Sequence, residues 1–184
     1  MKNPYAQLSN GLCFVFLDLS FFGIPDILPD FMGYLFFAYG IYLLPSFHNL
    51  KRWSKNFAII LIVVSFILEL TQWLGVKTFW EIGIQFIQFL LIVFMYYLFQ
   101  LLLHIHQEKP LESKTFKTYQ IFMACMLCGF VFHAFAINID AHIQKTVNFI
   151  GSLLQLFAFI LFMNYCRASQ RDEQKMNKPK IHSL

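Results

Sequence analysis

The sequence predicts an all-α fold, a polytopic membrane bundle of six helices in three hairpins. Three observations carry this prediction: 58% of the 184 residues are hydrophobic, only 13% are charged, and the mean hydropathy is +0.58. Soluble domains contain about 25% charged residues, and a soluble protein this apolar could not cover its surface. The 24 phenylalanines suit the same environment, because Phe inserts favourably into lipid.

Six apolar segments follow one another along the chain, and we expect each to form a helix. They are residues 5–22, 31–47, 57–76, 79–104, 118–138 and 146–166. A spanning helix needs about 20 mainly apolar residues, and the last four segments meet this length comfortably. Residues 31–47 are at the short limit. Residues 5–22 are the weakest segment, because Asn10, Gly11 and Asp18 interrupt them, and they either span the bilayer or insert only partly.

The predicted domain organisation is one helix bundle, residues 1–168, followed by a cytoplasmic charged tail, residues 169–184. The tail lacks apolar periodicity, so we expect it to be largely disordered beyond the last helix. The N-terminus lacks the layout of a signal peptide, and the first apolar segment is expected to stay in the mature protein. No basic patch with interleaved aromatic residues occurs, which argues against nucleic acid as a partner.

The distribution of Lys and Arg predicts the orientation, because cytoplasmic loops carry an excess of both. With six spans and a cytoplasmic N-terminus, 12 of the 14 basic residues lie inside, and only Lys77 and Lys145 lie outside. If the first segment does not span, Lys2 also moves outside. The C-terminus is cytoplasmic in both arrangements. We therefore expect a multi-pass protein of the cell membrane with both termini inside.

Polar side chains recur within the apolar segments at spacings of three and four residues, which place them on one face of a helix. In the predicted orientation they all lie toward the outer half of their helices, and six of the ten acidic residues lie on or near the outer face. The candidate polar cavity comprises Asp18, Glu69, Gln72, Glu81, Gln85, Gln88, His133, Asn148 and Gln155. Asp26 and Asp30 form a candidate outer acidic turn, in which Asp30 is also placed to cap the second helix.

Two explanations of these polar stripes remain open. They line an outward-facing cavity for a cation or a small polar solute, or they join the helices by hydrogen bonds typically worth about 0.6 kcal/mol each. His133 is likewise either a hydrogen-bonded core residue or a ligand or proton-relay group. A charged or ionisable group in the hydrocarbon is costly and usually faces the bundle interior or water, so the stripes mark the best functional candidates.

Catalytic and cofactor motifs are not found. The sequence contains no H-E-x-x-H, G-x-S-x-G or P-loop pattern, so we predict no enzyme activity, no cofactor and no metal site. Cys125 and Cys128 match C-x-x-C but lie in the middle of an apolar segment, where buried thiols are expected. His104 and His106 do not share a helical face and are interpreted as interfacial residues.

A faint internal similarity joins the two ends of the bundle. Residues 30–33 (DFMG) resemble residues 148–151 (NFIG), and residues 12–15 (LCFV) can be set beside residues 127–131 (LCGFV) with a gap. Duplicated hairpins of the same orientation would produce this pattern, and chance similarity between Phe-rich helices is the simpler explanation.

Residues 26–34, D-I-L-P-D-F-M-G-Y, resemble a segment of small multi-spanning membrane proteins from low-GC Gram-positive bacteria. In that family a weak first helix precedes a D-I-L-P-D-x-x-G-Y segment that leads into the second helix. The resemblance covers about residues 8–45, and Pro25 departs from the expected pattern. Since the family is largely uncharacterised, the resemblance implies a bacterial plasma membrane and little chemistry.

Two main functional hypotheses follow, beside a third, an intramembrane enzyme, for which the sequence offers only scattered candidate residues. The first is a transporter-like or channel-like protein that binds a cation or polar solute, as the polar stripes indicate. The alternative is a non-catalytic accessory, regulatory or immunity-type protein that acts through helix contacts with a membrane-protein partner or a second copy of itself. The small size and the lack of catalytic residues favour the alternative. Besides the discontinuity around residues 23–30, no broken helix marks a transport site.

Overall fold

The computed structural model describes residues 3–17, 30–45, 48–74, 77–107, 111–136 and 139–176. All secondary structure in these ranges is α-helical, which confirms the predicted fold class. The six helices are α1 (Pro4–Leu17), α2 (Asp30–Leu43), α3 (His48–Trp73), α4 (Lys77–His106), α5 (Leu111–Ala136) and α6 (Ala141–Met176).

Four of the helices are long and apolar enough to cross a membrane. The candidate spans are Asn49–Thr71, Gly83–His106, Leu111–Ala136 and Ile143–Gln174. The chain is therefore a membrane-embedded helical protein. The described parts of α1 and α2 contain 14 residues each, which gives about 21 Å of helix against a hydrocarbon core of about 30 Å. The connection between them, with the predicted acidic turn around Asp26, lies outside the described residues.

Several helix ends differ from the predicted ones, and the three largest differences arise because polar helix formers extend the helices beyond their apolar runs. α3 begins at His48 rather than at residue 57, and α5 begins at Leu111 rather than at residue 118. α6 ends at Met176 rather than at residue 166. The expectation of disorder is therefore wrong for residues 169–176, which continue the last helix. Residues 177–184 lie outside the described residues.

The six helices form a closed antiparallel ring. Each helix packs against the next one along the chain, and α1 packs against α6. Side chains of α4 fill the centre of the ring, because its inner face is almost entirely apolar. Phe94, Met95, Leu98, Phe99 and Leu102 are all fully buried. The Phe99 ring lies 5.3 Å from that of Phe122 on α5 and 5.6 Å from that of Phe162 on α6.

Glycines set the closest approaches between helices. A Cβ on Gly11 of α1 would lie 2.8 Å from the carbonyl oxygen of Gly33 on α2. A Cβ on Gly129 of α5 would lie 3.0 Å from the carbonyl oxygen of Gly151 on α6. Only residues without a Cβ allow two helix backbones to come this close. These crossings fix how the polar residues of neighbouring helices face each other.

Candidate functional site

The predicted outer acidic residue Glu69 has a structural partner. Its Oε1 accepts a hydrogen bond of 3.4 Å from the backbone N–H of Phe31 in the first turn of α2. The opposite end of α2 is also held by α3, since Lys51 Nζ donates to the carbonyl of Leu44 at 2.6 Å. A carboxylate at a helix N-terminus and an ammonium at its C-terminus both suit the helix dipole. Glu69 and Lys51 therefore join α2 to α3.

His133 and Asn148 form the central contact between α5 and α6. The distance from His133 Nδ1 to Asn148 Oδ1 is 3.1 Å. Because the amide oxygen only accepts, Nδ1 carries the hydrogen in this contact, and in the neutral imidazole Nε2 presents a lone pair. Nε2 is buried and has no hydrogen-bond partner among the described residues. It lies against Gly151, where an added Cβ would be 3.1 Å away.

Gln155 extends this polar group by two turns along α6. Its side chain is buried and packs over Gly129, since a Cβ on that glycine would lie 3.0 Å from Gln155 Cγ. Gln155 and Asn148 therefore share the face of α6 that packs on α5, as their spacing of seven residues predicts. We call His133, Asn148 and Gln155 the polar trio.

Gln88 belongs to the inward face of α4. It precedes the buried Leu91 and Ile92 by one turn of helix, and its Oε1 is buried without a hydrogen-bond partner in the described part of the chain. The rings of Phe89 on α4 and Phe130 on α5 are 6.3 Å apart. Gln88, next to Phe89 in the chain, therefore lies at about the level of α5 that carries His133.

The polar stripe of α3, with the neighbouring part of α4, is only partly described. Ser65 of α3 is buried, and Leu68 packs on Gly83, which places Ser65 near the level of the half-buried Gln85. The described residues of the candidate cavity lie in the half of the bundle where α3 and α5 end and α4 and α6 begin. Asp18 and Asp26 lie outside the described residues, as do the side chains of Gln72 and Glu81.

A second polar cluster, which the sequence did not predict, lies at the other end of the bundle. His106 was expected at an interface, yet it is only 4% exposed. Its Nε2 lies 2.7 Å from Tyr5 Oη on α1, and its Nδ1 lies 3.1 Å from both Thr115 Oγ1 on α5 and Tyr165 Oη on α6. We call these four residues the His106 cluster. His104, two residues earlier, is exposed as predicted.

The hydrogen bonds of the His106 cluster are internally consistent. Thr115 Oγ1 donates to the carbonyl of Leu111 at 2.8 Å, so it acts as an acceptor toward its other neighbours. Every member has at least one side-chain partner within the cluster. A satisfied polar network in a low-dielectric interior rigidifies the core, so this cluster joins four helices.

The four cysteines, Cys13, Cys125, Cys128 and Cys166, form no disulfide. Within the C-x-x-C match, Cys125 is half-buried and Cys128 is exposed on the outer surface of α5. The expectation of buried thiols is therefore wrong for Cys128, which lies on the outer surface of the helix.

A scan against protein-family models found no match to the chain. Searches of the curated proteins and of the solved structures also found no match.

Proposed function

We propose that this membrane protein binds a cation or a small polar solute at the end of the bundle that carries Gln88 and the polar trio, and that it acts as a transporter-like or channel-like protein. One observation carries the proposal. Gln88 Oε1 and His133 Nε2 are two buried acceptor atoms for which the described residues supply no donor. A buried acceptor without a donor costs about 1–3 kcal/mol, so a bound donor would stabilise the protein.

The chemistry of the site favours a cation that donates hydrogen bonds. Both orphan atoms are acceptors, so a ligand with N–H groups matches them better than an anion or a bare acceptor does. Acidic residues accompany them, since Glu69 and Asp30 lie at the same end of the bundle. Acidic groups near a low-dielectric site raise the local concentration of cations.

The proposed orientation places this end outside the cell and both termini in the cytoplasm. It is supported by the 12 basic residues that lie at the other end or in the C-terminal segment. The D-I-L-P-D-x-x-G-Y segment at residues 26–34 supports a bacterial plasma membrane. In this orientation the site binds its ligand from the external medium.

Thermal unfolding of the purified protein in detergent tests the proposal. The probes are ammonium, methylammonium, tetramethylammonium and potassium chloride at equal ionic strength. Tetramethylammonium is the key comparison, because it carries the same charge without an N–H donor. We expect ammonium and methylammonium to raise the unfolding midpoint and the other two cations to leave it unchanged, because a ligand that binds only the folded state stabilises it.

A matched pair of variants locates the effect. Gln88→Leu removes the orphan acceptor, and Gln100→Leu makes the same change in the other half of α4. Loss of the methylammonium effect in Gln88→Leu but not in Gln100→Leu supports the site. Equal midpoints with all four salts in the unmodified protein contradict the proposal and leave the accessory role as the better account.

A further inference from the structure

The α1–α2 and α5–α6 hairpins are built from corresponding contacts. Gly11 meets Gly33 in the first hairpin, and Gly129 meets Gly151 in the second. Each glycine of the second pair lies 118 residues after its counterpart, so both crossings join residues 22 apart.

The side chains that pack on these glycines are also separated by 118 residues. The side chain packed on Gly33 is Val15, and the one packed on Gly151 is His133, which is 118 residues after Val15. The side chain packed on Gly11 is Phe37, and the one packed on Gly129 is Gln155, again 118 residues later.

Burial matches at some counterpart positions and differs at others. Leu8 and Met126 are both buried, as are Leu44 and Phe162, whereas Leu12 is buried and its counterpart Phe130 is half-buried. Asp30 of the DFMG segment corresponds to Asn148 of the NFIG segment. The gap proposed between residues 12–15 and 127–131 is wrong, because the glycine contacts align Gly11 with Gly129 directly. The two hairpins therefore share one arrangement of contacts at their crossings and run in the same direction through the bundle.

We infer that the polar trio is a ligand site specialised in the second of these two hairpins, and that its ligand is a cation with N–H donors. The inference deepens the proposed function and rests on it for the ligand. The first hairpin forms the same glycine crossing with Val15 and Phe37 where the second hairpin has His133 and Gln155. The crossing therefore does not need these polar groups.

The chemistry of the second hairpin supports a ligand over a packing role. Asn148 fixes the His133 tautomer through Nδ1, which turns the lone pair of Nε2 toward the glycine crossing. If the polar trio served only to pack the helices, a neighbouring helix would be expected to donate a hydrogen bond to His133 Nε2. None of the described residues does so.

Exchange of residues between the two hairpins tests the inference. The double variant His133→Val/Gln155→Phe gives the second hairpin the side chains of the first. We expect its unfolding midpoint without ligand to stay within about 3 °C of the unmodified protein, and the midpoint shift with methylammonium to disappear. A fall of more than about 10 °C would mean that the polar trio holds the helices together, and it would overturn the inference.

Asn148→Leu is the second variant, because it removes the acceptor that orients His133 through Nδ1 and adds no charge. The methylammonium concentration for half-maximal stabilisation is expected to rise about fivefold, since the His133 ring is no longer fixed. An unchanged or lower concentration contradicts a ligand held by His133 Nε2.

The two proposals fail in different ways. If methylammonium stabilises the unmodified protein and also the double variant, the proposed function stands and the polar trio is not its site. If methylammonium never stabilises the protein, the proposed function and the ligand assignment both fail. In that case a midpoint retained in the double variant still shows that the trio is dispensable for packing.

Discussion

Tyr5 Oη and His106 Nε2 are hydrogen-bonded at 2.7 Å although 101 residues separate them in the chain. Their rings are also stacked, with centroids 6.0 Å apart. This contact ties α1 to α4. The fully buried Leu8 and Leu12 add apolar contacts from the same face of α1.

The variant Tyr5→Phe should destabilise the protein by about 1–3 kcal/mol, because it leaves His106 Nε2 buried without its partner. The ring and its stacking are retained, so the change isolates the hydroxyl group. A drop in the unfolding midpoint of about 2–8 °C in detergent is the expected measurement.

Tyr42→Phe is the matched control for this prediction. Tyr42 is 66% exposed, and its ring lies under Lys51 Nζ, a contact that phenylalanine keeps. Its midpoint should not change. Equal midpoints for Tyr5→Phe and Tyr42→Phe would show that the His106 cluster contributes no measurable stability.

Hydropathy predicts the helices of this protein well, because each apolar run must bury or face lipid along its whole length. The polar spacing on α6 also predicts that Asn148 and Gln155 share a face, since helical periodicity alone decides it. The His106 cluster could not be predicted, because Tyr5, Thr115 and Tyr165 come from three other helices. Their meeting depends on the closure of the ring between α1 and α6, which no local pattern encodes.

The same limit applies to the correspondence between the α1–α2 and α5–α6 hairpins. The sequence similarity at residues 30–33 and 148–151 is short. The backbone contacts of Gly11 with Gly33 and of Gly129 with Gly151 supply the register between the two hairpins, because few of the corresponding side chains are alike. Hydropathy alone does not predict the helix ends. It takes no account of polar residues that are good helix formers, such as those of 167–176.

Alanine at the crossing glycines should destabilise both hairpins. In Gly11→Ala and Gly129→Ala the new methyl group would lie 2.8 Å and 3.0 Å from a carbonyl oxygen, so the helices must move apart. Overpacking of this kind costs about 1–3 kcal/mol, which exceeds the gain of about 1 kcal/mol in helix propensity. We expect lower unfolding midpoints for both variants, with the larger effect at Gly11.

Gly83→Ala is the comparison for these variants. A Cβ on Gly83 would meet only the terminal atoms of the Leu68 side chain, which can rotate away, rather than a backbone oxygen. Its midpoint should fall less than that of Gly11→Ala. The reverse order would contradict the assignment of Gly11 and Gly33 as a backbone crossing.

Phe99→Ala should be the most damaging single change in the core. Phe99 is fully buried and its ring contacts those of Tyr119, Phe122 and Phe162. Removal of a buried aromatic ring typically costs about 3–5 kcal/mol. Expression as a monodisperse protein should fall sharply, as measured by size-exclusion chromatography of a fluorescent fusion.

Phe89→Ala provides the control for that loss, because Phe89 lies on the same helix and is 49% exposed. It should retain most of the monodisperse peak. If both variants behave alike, the centre of the ring is not packed by α4 as described.

Cysteine labelling decides whether the polar trio faces the external medium. Thr146 and Ser113 are exposed residues in the first turns of α6 and α5, which begin at opposite ends of the bundle because the two helices are antiparallel. A membrane-impermeant maleimide applied to intact cells should label Thr146→Cys and spare Ser113→Cys until the cells are opened. The reason is the excess of basic residues at the Ser113 end. The unmodified chain, with its four native cysteines, measures the background labelling. Labelling of Ser113→Cys alone in intact cells would place the site on the cytoplasmic side. The ligand would then bind from the cytoplasm.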